Sequence, residues 1–184
     1  QKNTYGFLGS ENFHGNIEKI DFHGIDLDVN GEKFQTHLLG KFNAYNLISV
    51  ISVCKLLGFD IQKVKEILKN IEPPRGRFDH FLSDTGVLCI IDYAHTPDAL
   101  QKIISAIVEI KEANSKLISV FGCGGDRDPL KRRIMGKIGT QFSDIAILTS
   151  DNPRSEDPEK IINEMKTDLS MSDISKTENI TDRR

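Results

Sequence analysis

The sequence predicts an α/β chain: a strand hairpin and two helices, followed by strand–loop–helix units built around a parallel sheet. Three observations predict it. After residue 75, apolar strand-like runs alternate with helical stretches of roughly ten to seventeen residues, the pattern of parallel β-α units. Ile90-Ile91 and Ile145–Leu148 are continuous apolar runs, as expected of strands covered on both faces. Finally, Glu72-Pro73-Pro74-Arg75-Gly76 separates two styles of sequence. Its prolines and glycine stop a helix and turn the chain, giving expected domains of residues 1–74 and 75–184.

In order along the chain, Ile17–Phe22 and Ile25–Val29 read as strands, and Asn30-Gly31 is a two-residue hairpin signal because both residues tolerate positive φ. Phe34–Leu39 is the returning strand. A helix is expected over Phe42–Leu57, with Leu47, Val50, Ile51, Cys54 and Leu57 at helical spacing and Gly58 just past its end. Asp60 can cap a second helix, Ile61–Ile71, carrying Val64, Ile67, Leu68 and Ile71 on one face. Beyond the prolines, Phe78–Leu82 and Val87–Tyr93 are strands around the turn Ser83–Gly86. Three units follow. Val87–Tyr93 leads to a helix from Pro97 to about Ala113, capped by Thr96. Lys116–Phe121 leads to one from about Pro129 to Phe142, and Ile145–Thr149 to one from Pro158, capped by Asp157.

The 184 residues carry a formal charge of −3, which argues against non-specific binding to nucleic acid. No apolar run approaches the roughly 20 residues that span a bilayer, so no membrane insertion is expected. Cys54, Cys89 and Cys123 lie far apart with no CxxC, which fits reduced thiols in a reducing compartment, the cytoplasm. The start lacks an initiator Met and an apolar leader, and the end lacks a closing element, so the chain is expected to be part of a longer one.

In parallel α/β sheets ligands gather beyond the carboxyl ends of the strands. The unusual polar residues lie there in all three units. Gly122-Cys123-Gly124-Gly125-Asp126-Arg127 lets backbone approach a ligand and opens a helix that favours an anion. It is neither a GxxxxGK[ST] loop nor GxGxxG, and a tight turn is its plainer reading. Arg127 adds a guanidinium that matches carboxylate or phosphate. In Asp151-Asn152-Pro153-Arg154, the proline and local hydrogen bonds stiffen a turn from which Arg154 projects; a solvated turn is the alternative. Asp92 can orient a ribose hydroxyl or a cation, and His95 can contact phosphate or relay a proton, unless it is merely structural. Arg77 at the Pro-Pro turn could reach a nucleotide, or be a surface charge. Asn43 and Asn46 lie three apart near a helix start and could face one pocket. His14, His23, His37 and His80 have no metal-ligand spacing.

Five stretches, in order and across nearly the whole chain, resemble the Mur ligases: Leu39–Asn46, Pro74–Phe78, Asp92–Pro97, Phe121–Asp128 and Asp151–Arg154. The resemblance implies a Rossmann-like C-terminal ligase domain preceded by the tail of a P-loop-type central domain. It also implies an ATP-dependent amide ligase of peptidoglycan synthesis, acting through an acyl phosphate. Asn46, Arg77, Asp92 and His95 would then bind ATP, and Arg127 with Asp151, Asn152, Pro153 and Arg154 would bind the incoming amino acid. No catalytic residue and no metal ligand is expected within this stretch; the P-loop and the Mg2+ ligands are expected upstream. The partners implied are ATP, a UDP-N-acetylmuramoyl-dipeptide and meso-diaminopimelate, acted on by a monomer. In the family the Asp-Asn-Pro-Arg loop goes with meso-diaminopimelate, whose far carboxylate an arginine can pair; lysine has none. Such a buried charged hydrogen bond is worth about 2–4 kcal/mol, or roughly 30- to 1000-fold in selectivity. A lysine-adding ligase and a non-catalytic binding or scaffold homologue are the alternatives. Residues 1–184 alone are expected to be inactive, and Ile71–Arg77 is the expected hinge of a closing motion.

Overall fold

The computed structural model describes residues 2–183. They fold as two compact units, one reaching Tyr93 and the other beginning at Ala94.

The first unit opens with a sheet in the order β1 (Tyr5–Gly6), β2 (Phe13–Asp21), β3 (Gly24–Val29) and β4 (Glu32–Thr36). β1 runs parallel to β2, and the other pairs are antiparallel. Asn30 and Gly31 form the tight turn between β3 and β4, with φ of 53° and 83°, the conformation that a right-twisted two-residue hairpin requires. The Asn30 side chain adds a tie: its Oδ1 accepts from His14 N at 2.8 Å and its Nδ2 donates to Asn12 O at 2.9 Å.

α1 (Lys41–Leu56) packs on this sheet. Its end is fixed by Gly58, in the left-handed region at φ 75°. Gly58 N donates to Lys55 O at 3.1 Å and Phe59 N to Cys54 O at 3.0 Å, the paired bonds of a Schellman motif. The buried face is Ala44, Leu47, Ile48, Ile51 and Ser52. Val50 and Leu57, expected on that face, are exposed. The stripe is rotated because Ala44 and Ile48, one turn apart, meet the sheet. α2 (Ile61–Lys69) is capped by Asp60, whose carboxylate accepts from Gln62 N at 2.9 Å. It buries Val64 and Leu68, leaves Ile67 exposed, and ends before the expected Ile71. These side chains, with Ile25, Leu27, Val29 and Phe34, form the core of the unit.

β5 (Asp79–Leu82) and β6 (Leu88–Ile91) close the first unit as an antiparallel ribbon. The parallel series anticipated from residue 87 onward therefore starts one strand later. The four-residue turn Ser83–Gly86 folds β6 straight back onto β5, held by Gly86 N to Ser83 O at 2.9 Å. Its apolar run is not covered on both faces, since Ile91 is 53% exposed. An apolar run of this length states neither its burial nor its hydrogen-bond partner.

The second unit runs α3 (Pro97–Ile110), β7 (Ile118–Phe121), α4 (Leu130–Gln141), β8 (Ile145–Leu148), α5 (Pro158–Met165), α6 (Met171–Ile174) and β9 (Thr177–Asn179). Thr96 caps α3 by accepting from Ala99 N at 3.3 Å, and Asp157 caps α5 by accepting from Glu159 N at 3.0 Å. The sheet is parallel, in the order β7-β8-β9. Leu100, Ile104, Phe121, Met135, Ala146, Leu148, Ile162 and Met165 fill its core. α6 and β9 are elements the sequence patterns did not suggest. The polar Thr177-Glu178-Asn179 is a strand only because β8 offers it an edge.

Candidate functional site

β7 and β8 are neighbours in parallel register, Phe121 opposite Leu148, so the loops that follow them leave the same edge of the sheet. The first loop spans residues 122–128 and the second spans 150–156. Thr149 N donates to Phe121 O at 3.1 Å, which carries the pairing into the loops. Gly125 N then donates to Asn152 O at 3.1 Å, and Arg154 Nη1 donates to Gly125 O at 2.6 Å. The contact is too close for a side chain. A Cβ on Gly125 would lie 1.8 Å from Pro153 O, which is the reason glycine is needed there.

Both candidate arginines lie beside Gly124, Arg154 by its guanidinium and Arg127 by its aliphatic stem. A Cβ built there would meet Arg154 Nη1 at 2.9 Å and Arg127 Cγ at 3.6 Å. Arg127 and Arg154 are exposed residues. A guanidinium has five N–H donors, and Arg154 directs one of them to the Gly125 carbonyl. Asp126, Asn152 and Arg154 all lie in the left-handed region, at φ 52°, 46° and 52°. Such conformations cost roughly 1–2 kcal/mol for residues with a Cβ and persist only where surrounding bonds enforce them. The enforcing bonds are present: Ser155 Oγ donates to Asp126 Oδ1 at 2.6 Å, and Asp126 N to Glu156 Oε1 at 2.6 Å. Asp151 Oδ1 accepts from Asn152 Nδ2 at 3.3 Å and lies 3.5 Å from Arg183 Nη2.

Beneath the loops lies Arg132, in the first turn of α4 and 1% exposed. Its Nη1 donates to Glu156 Oε2 at 2.8 Å and Glu164 Oε2 at 2.7 Å. Its Nη2 donates to Glu156 Oε1 at 2.6 Å and Gly124 O at 3.3 Å. These bonds hold the Glu156 carboxyl down to about 2 and raise Arg132 above its already high value. Cys123, also in the first loop, is buried, and that burial pushes its thiol up to about 11. Arg132 opposes the shift and Asp151 adds to it. At neutral pH it is a protonated, inert side chain.

In the first unit, Asp92 Oδ2 accepts from Phe78 N at 2.8 Å, and Tyr93 N donates to Gly76 O at 2.8 Å. These bonds fasten the Pro-Pro-Arg-Gly turn to the end of β6 and leave Arg77 exposed beside the buried Phe78. The Phe78 ring meets Phe42 edge-on, centroids 5.3 Å apart. Phe42 lies in the first turn of α1, where Asn46 donates its Nδ2 to Asn43 Oδ1 at 3.1 Å and Asn43 donates to Leu39 O at 2.8 Å. Asn43 is thus tied into the helix start, and Asn46 is exposed. His95 is exposed in the segment leading to α3. Among the described residues, no group of three or more His, Cys, Asp or Glu could hold a metal ion. No described helix is long and apolar enough to cross a membrane.

The sequence reading missed Arg132, Glu156 and Glu164. One signal was available: Arg132, Met135, Gly136, Gly139 and Thr140 fall at the spacing of a helix face, and all are buried. Read as part of Lys131-Arg132-Arg133, Arg132 looks like a solvated charge instead.

Comparison with known proteins adds the family. Residues 76–184 match the family model described as Mur ligase, glutamate ligase domain. That match begins at Gly76, whereas the compact units part after Tyr93. The chain is 44% identical over 181 residues to a UDP-N-acetylmuramoyl-L-alanyl-D-glutamate–2,6-diaminopimelate ligase of Cytophaga hutchinsonii, covering 98% of this chain and 37% of that protein. The enzyme of the same name from Parabacteroides distasonis is 42% identical over 183 residues, covering 100% of this chain and 38% of the relative. A solved structure of a ligase of that name superposes with a TM-score of 0.73 at 33% identity, over 98% of this chain and 37% of the other. A folylpolyglutamate synthase from Thermotoga maritima reaches 0.74 at 20% identity, over 93% of this chain and 40% of the other, a likeness of fold alone. The chain thus spans little more than a third of the length of the curated relatives it matches.

Proposed function

This chain belongs to the Mur ligase family, and on that premise we propose that it forms part of an ATP-dependent ligase adding meso-2,6-diaminopimelate to UDP-N-acetylmuramoyl-L-alanyl-D-glutamate. Residues 1–74 are assigned to the end of the central ATPase domain and 75–184 to the C-terminal domain. The observation that carries the reading is that the Arg154 guanidinium and the stem of Arg127 both lie beside Gly124, at the strand ends where such sheets bind ligands.

In the proposed reaction an oxygen of the substrate carboxylate attacks the γ-phosphorus of ATP, and ADP leaves. The amine nitrogen of diaminopimelate then attacks the acyl carbon of the acyl phosphate. The C–O bond breaks, phosphate departs and the nitrogen loses a proton. The chain's own contribution is binding and orientation. Arg154 and Arg127 clasp a carboxylate of the amino acid, with Asp151, Asn152 and Pro153 setting the loop from which Arg154 extends. Asn46, Arg77, Asp92 and His95 are assigned to ATP, with Asp92 holding the backbone beside Arg77. Magnesium would neutralise the phosphate charge. Its ligands are assigned to the rest of the longer protein. The isolated chain is assigned no ligase activity, and the whole enzyme is assigned to the cytoplasm as a monomer, in keeping with the free thiols of Cys54, Cys89 and Cys123.

The test uses the full-length enzyme. Arg154→Ala should raise the KM for diaminopimelate about 30- to 1000-fold, leave the KM for ATP within about twofold, and narrow the preference over lysine. An unchanged diaminopimelate KM and unchanged selectivity would remove Arg154 from the site.

A further inference from the structure

The two loops are joined from below by a single guanidinium. Arg132 donates to the Gly124 carbonyl of the first loop, to both carboxylate oxygens of Glu156 at the end of the second, and to Glu164 on α5. Glu156 passes the tie onward by accepting from Asp126 N, so the first loop is held twice by the same planar fork, directly at Gly124 and through Glu156 at Asp126. We propose that Arg132 is a positioning residue for the incoming amino acid: it sets the spacing between Arg127 and Arg154 by locking Gly124 to Glu156. The inference rests on the reading of those two arginines as the amino-acid clasp.

Three features support it. The residue gripped in the first loop, Gly124, is the one beside which the Arg154 guanidinium and the stem of Arg127 both lie. Asp126, whose amide is held through Glu156, directly precedes Arg127, so its left-handed backbone fixes where the Arg127 side chain starts. A buried ion pair is also a poor means of stabilising a fold. The desolvation of its charges offsets much of the attraction, and an apolar side chain at the same place on the α4 face would serve the core as well. What an apolar residue could not supply is a rigid set of donors pointing at three separate segments at once. Lysine could not either, because its single ammonium carries no planar fork.

The experiment uses the full-length enzyme carrying Arg132→Lys or Glu156→Gln, with Ile162→Val, a core change in the same unit, as the control for stability alone. Arg132→Lys and Glu156→Gln should each raise the diaminopimelate KM about 10- to 100-fold, the scale of a clasp displaced by about an ångström, with the ATP KM within about twofold. In an Arg154→Ala background their effects should largely vanish, since the clasp they position is already broken. Ile162→Val should lower the melting temperature without changing the ratio of the two KM values. Should Arg132→Lys not fold, Glu156→Gln decides, because it retains the buried guanidinium. Equal changes in both KM values, a fall in kcat alone, or full additivity with Arg154→Ala would overturn the positioning role. If Arg127→Ala and Arg154→Ala themselves leave the diaminopimelate KM unchanged, the underlying reading fails instead.

Discussion

Glu156 accepts from three donors: both terminal nitrogens of Arg132 and the amide of Asp126. All three favour the ionised form, chiefly the Arg132 bonds, and the carboxyl is held at about 2 instead of the usual 4.5. The sign of the stability effect follows. Above 4.5 the group is ionised in both the folded and the unfolded chain, and its stabilising contribution is fully present. As the pH falls below that value, the unfolded chain takes up the proton first, and the contribution drains away until the folded value of about 2 is passed. Glu156→Gln removes this dependence. The difference in melting temperature between the parent protein and Glu156→Gln should therefore be widest above pH 4.5 and shrink steadily towards pH 2. The carboxylates of Glu11, Asp21 and Glu32 are also lowered, but they are common to both proteins and cancel in the comparison. A difference that stays constant across that range would mean that Arg132 does not hold the Glu156 charge.

Among the elements, α4 and α5 meet where no side chain intervenes. Gly136 lies in the middle of α4, and a Cβ there would fall 1.8 Å from Met165 O and 2.8 Å from its carbonyl carbon. Two effects oppose each other in Gly136→Ala. Alanine favours a helix interior by about 1 kcal/mol. Forcing the α5 backbone away costs about 1–3 kcal/mol and disturbs Met165 and Ile162, both fully buried. Because the obstacle is a main-chain carbonyl and not a flexible side chain, the second effect wins. Gly136→Ala should lower the denaturant midpoint, and a rise would show that the helices can separate freely. The same elements mark what local chemistry makes legible. Asn30-Gly31, Gly58, Asp60, Thr96 and Asp157 were readable because each acts on residues within a few positions of itself. The placing of Arg127 and Arg154 at neighbouring strand ends was readable because the loops that carry them directly follow β7 and β8. Arg132 was not, since its carboxylate partners lie 24 and 32 positions away and its neighbours in sequence are charged. β6 and β9 failed for a related reason: their hydrophobic or polar character says nothing about which strand they pair with.

At the scale of the molecule, each unit fills its own core. One cluster draws on Ile25 to Leu68 and the other on Leu100 to Met165, with no buried member in common. Cooperativity comes from shared packing, so two cores of this kind need not unfold as one. Single substitutions can resolve them. Ile48 and Ile162 are both fully buried, one in each cluster, and truncation of either to alanine should cost about 2–5 kcal/mol. In the 184-residue chain, calorimetry should record two transitions. Ile48→Ala should lower one of them and leave the other in place, and Ile162→Ala should do the reverse. Ligand linkage then ties stability to function. On the proposed assignment of Arg127 and Arg154 to diaminopimelate, the ligand would stabilise the unit that contains them by mass action, so any shift it produces should appear in the Ile162-sensitive transition. A single transition displaced equally by both substitutions would show that the chain unfolds as one cooperative body. A ligand shift confined to the Ile48-sensitive transition would move the amino-acid site out of the second unit.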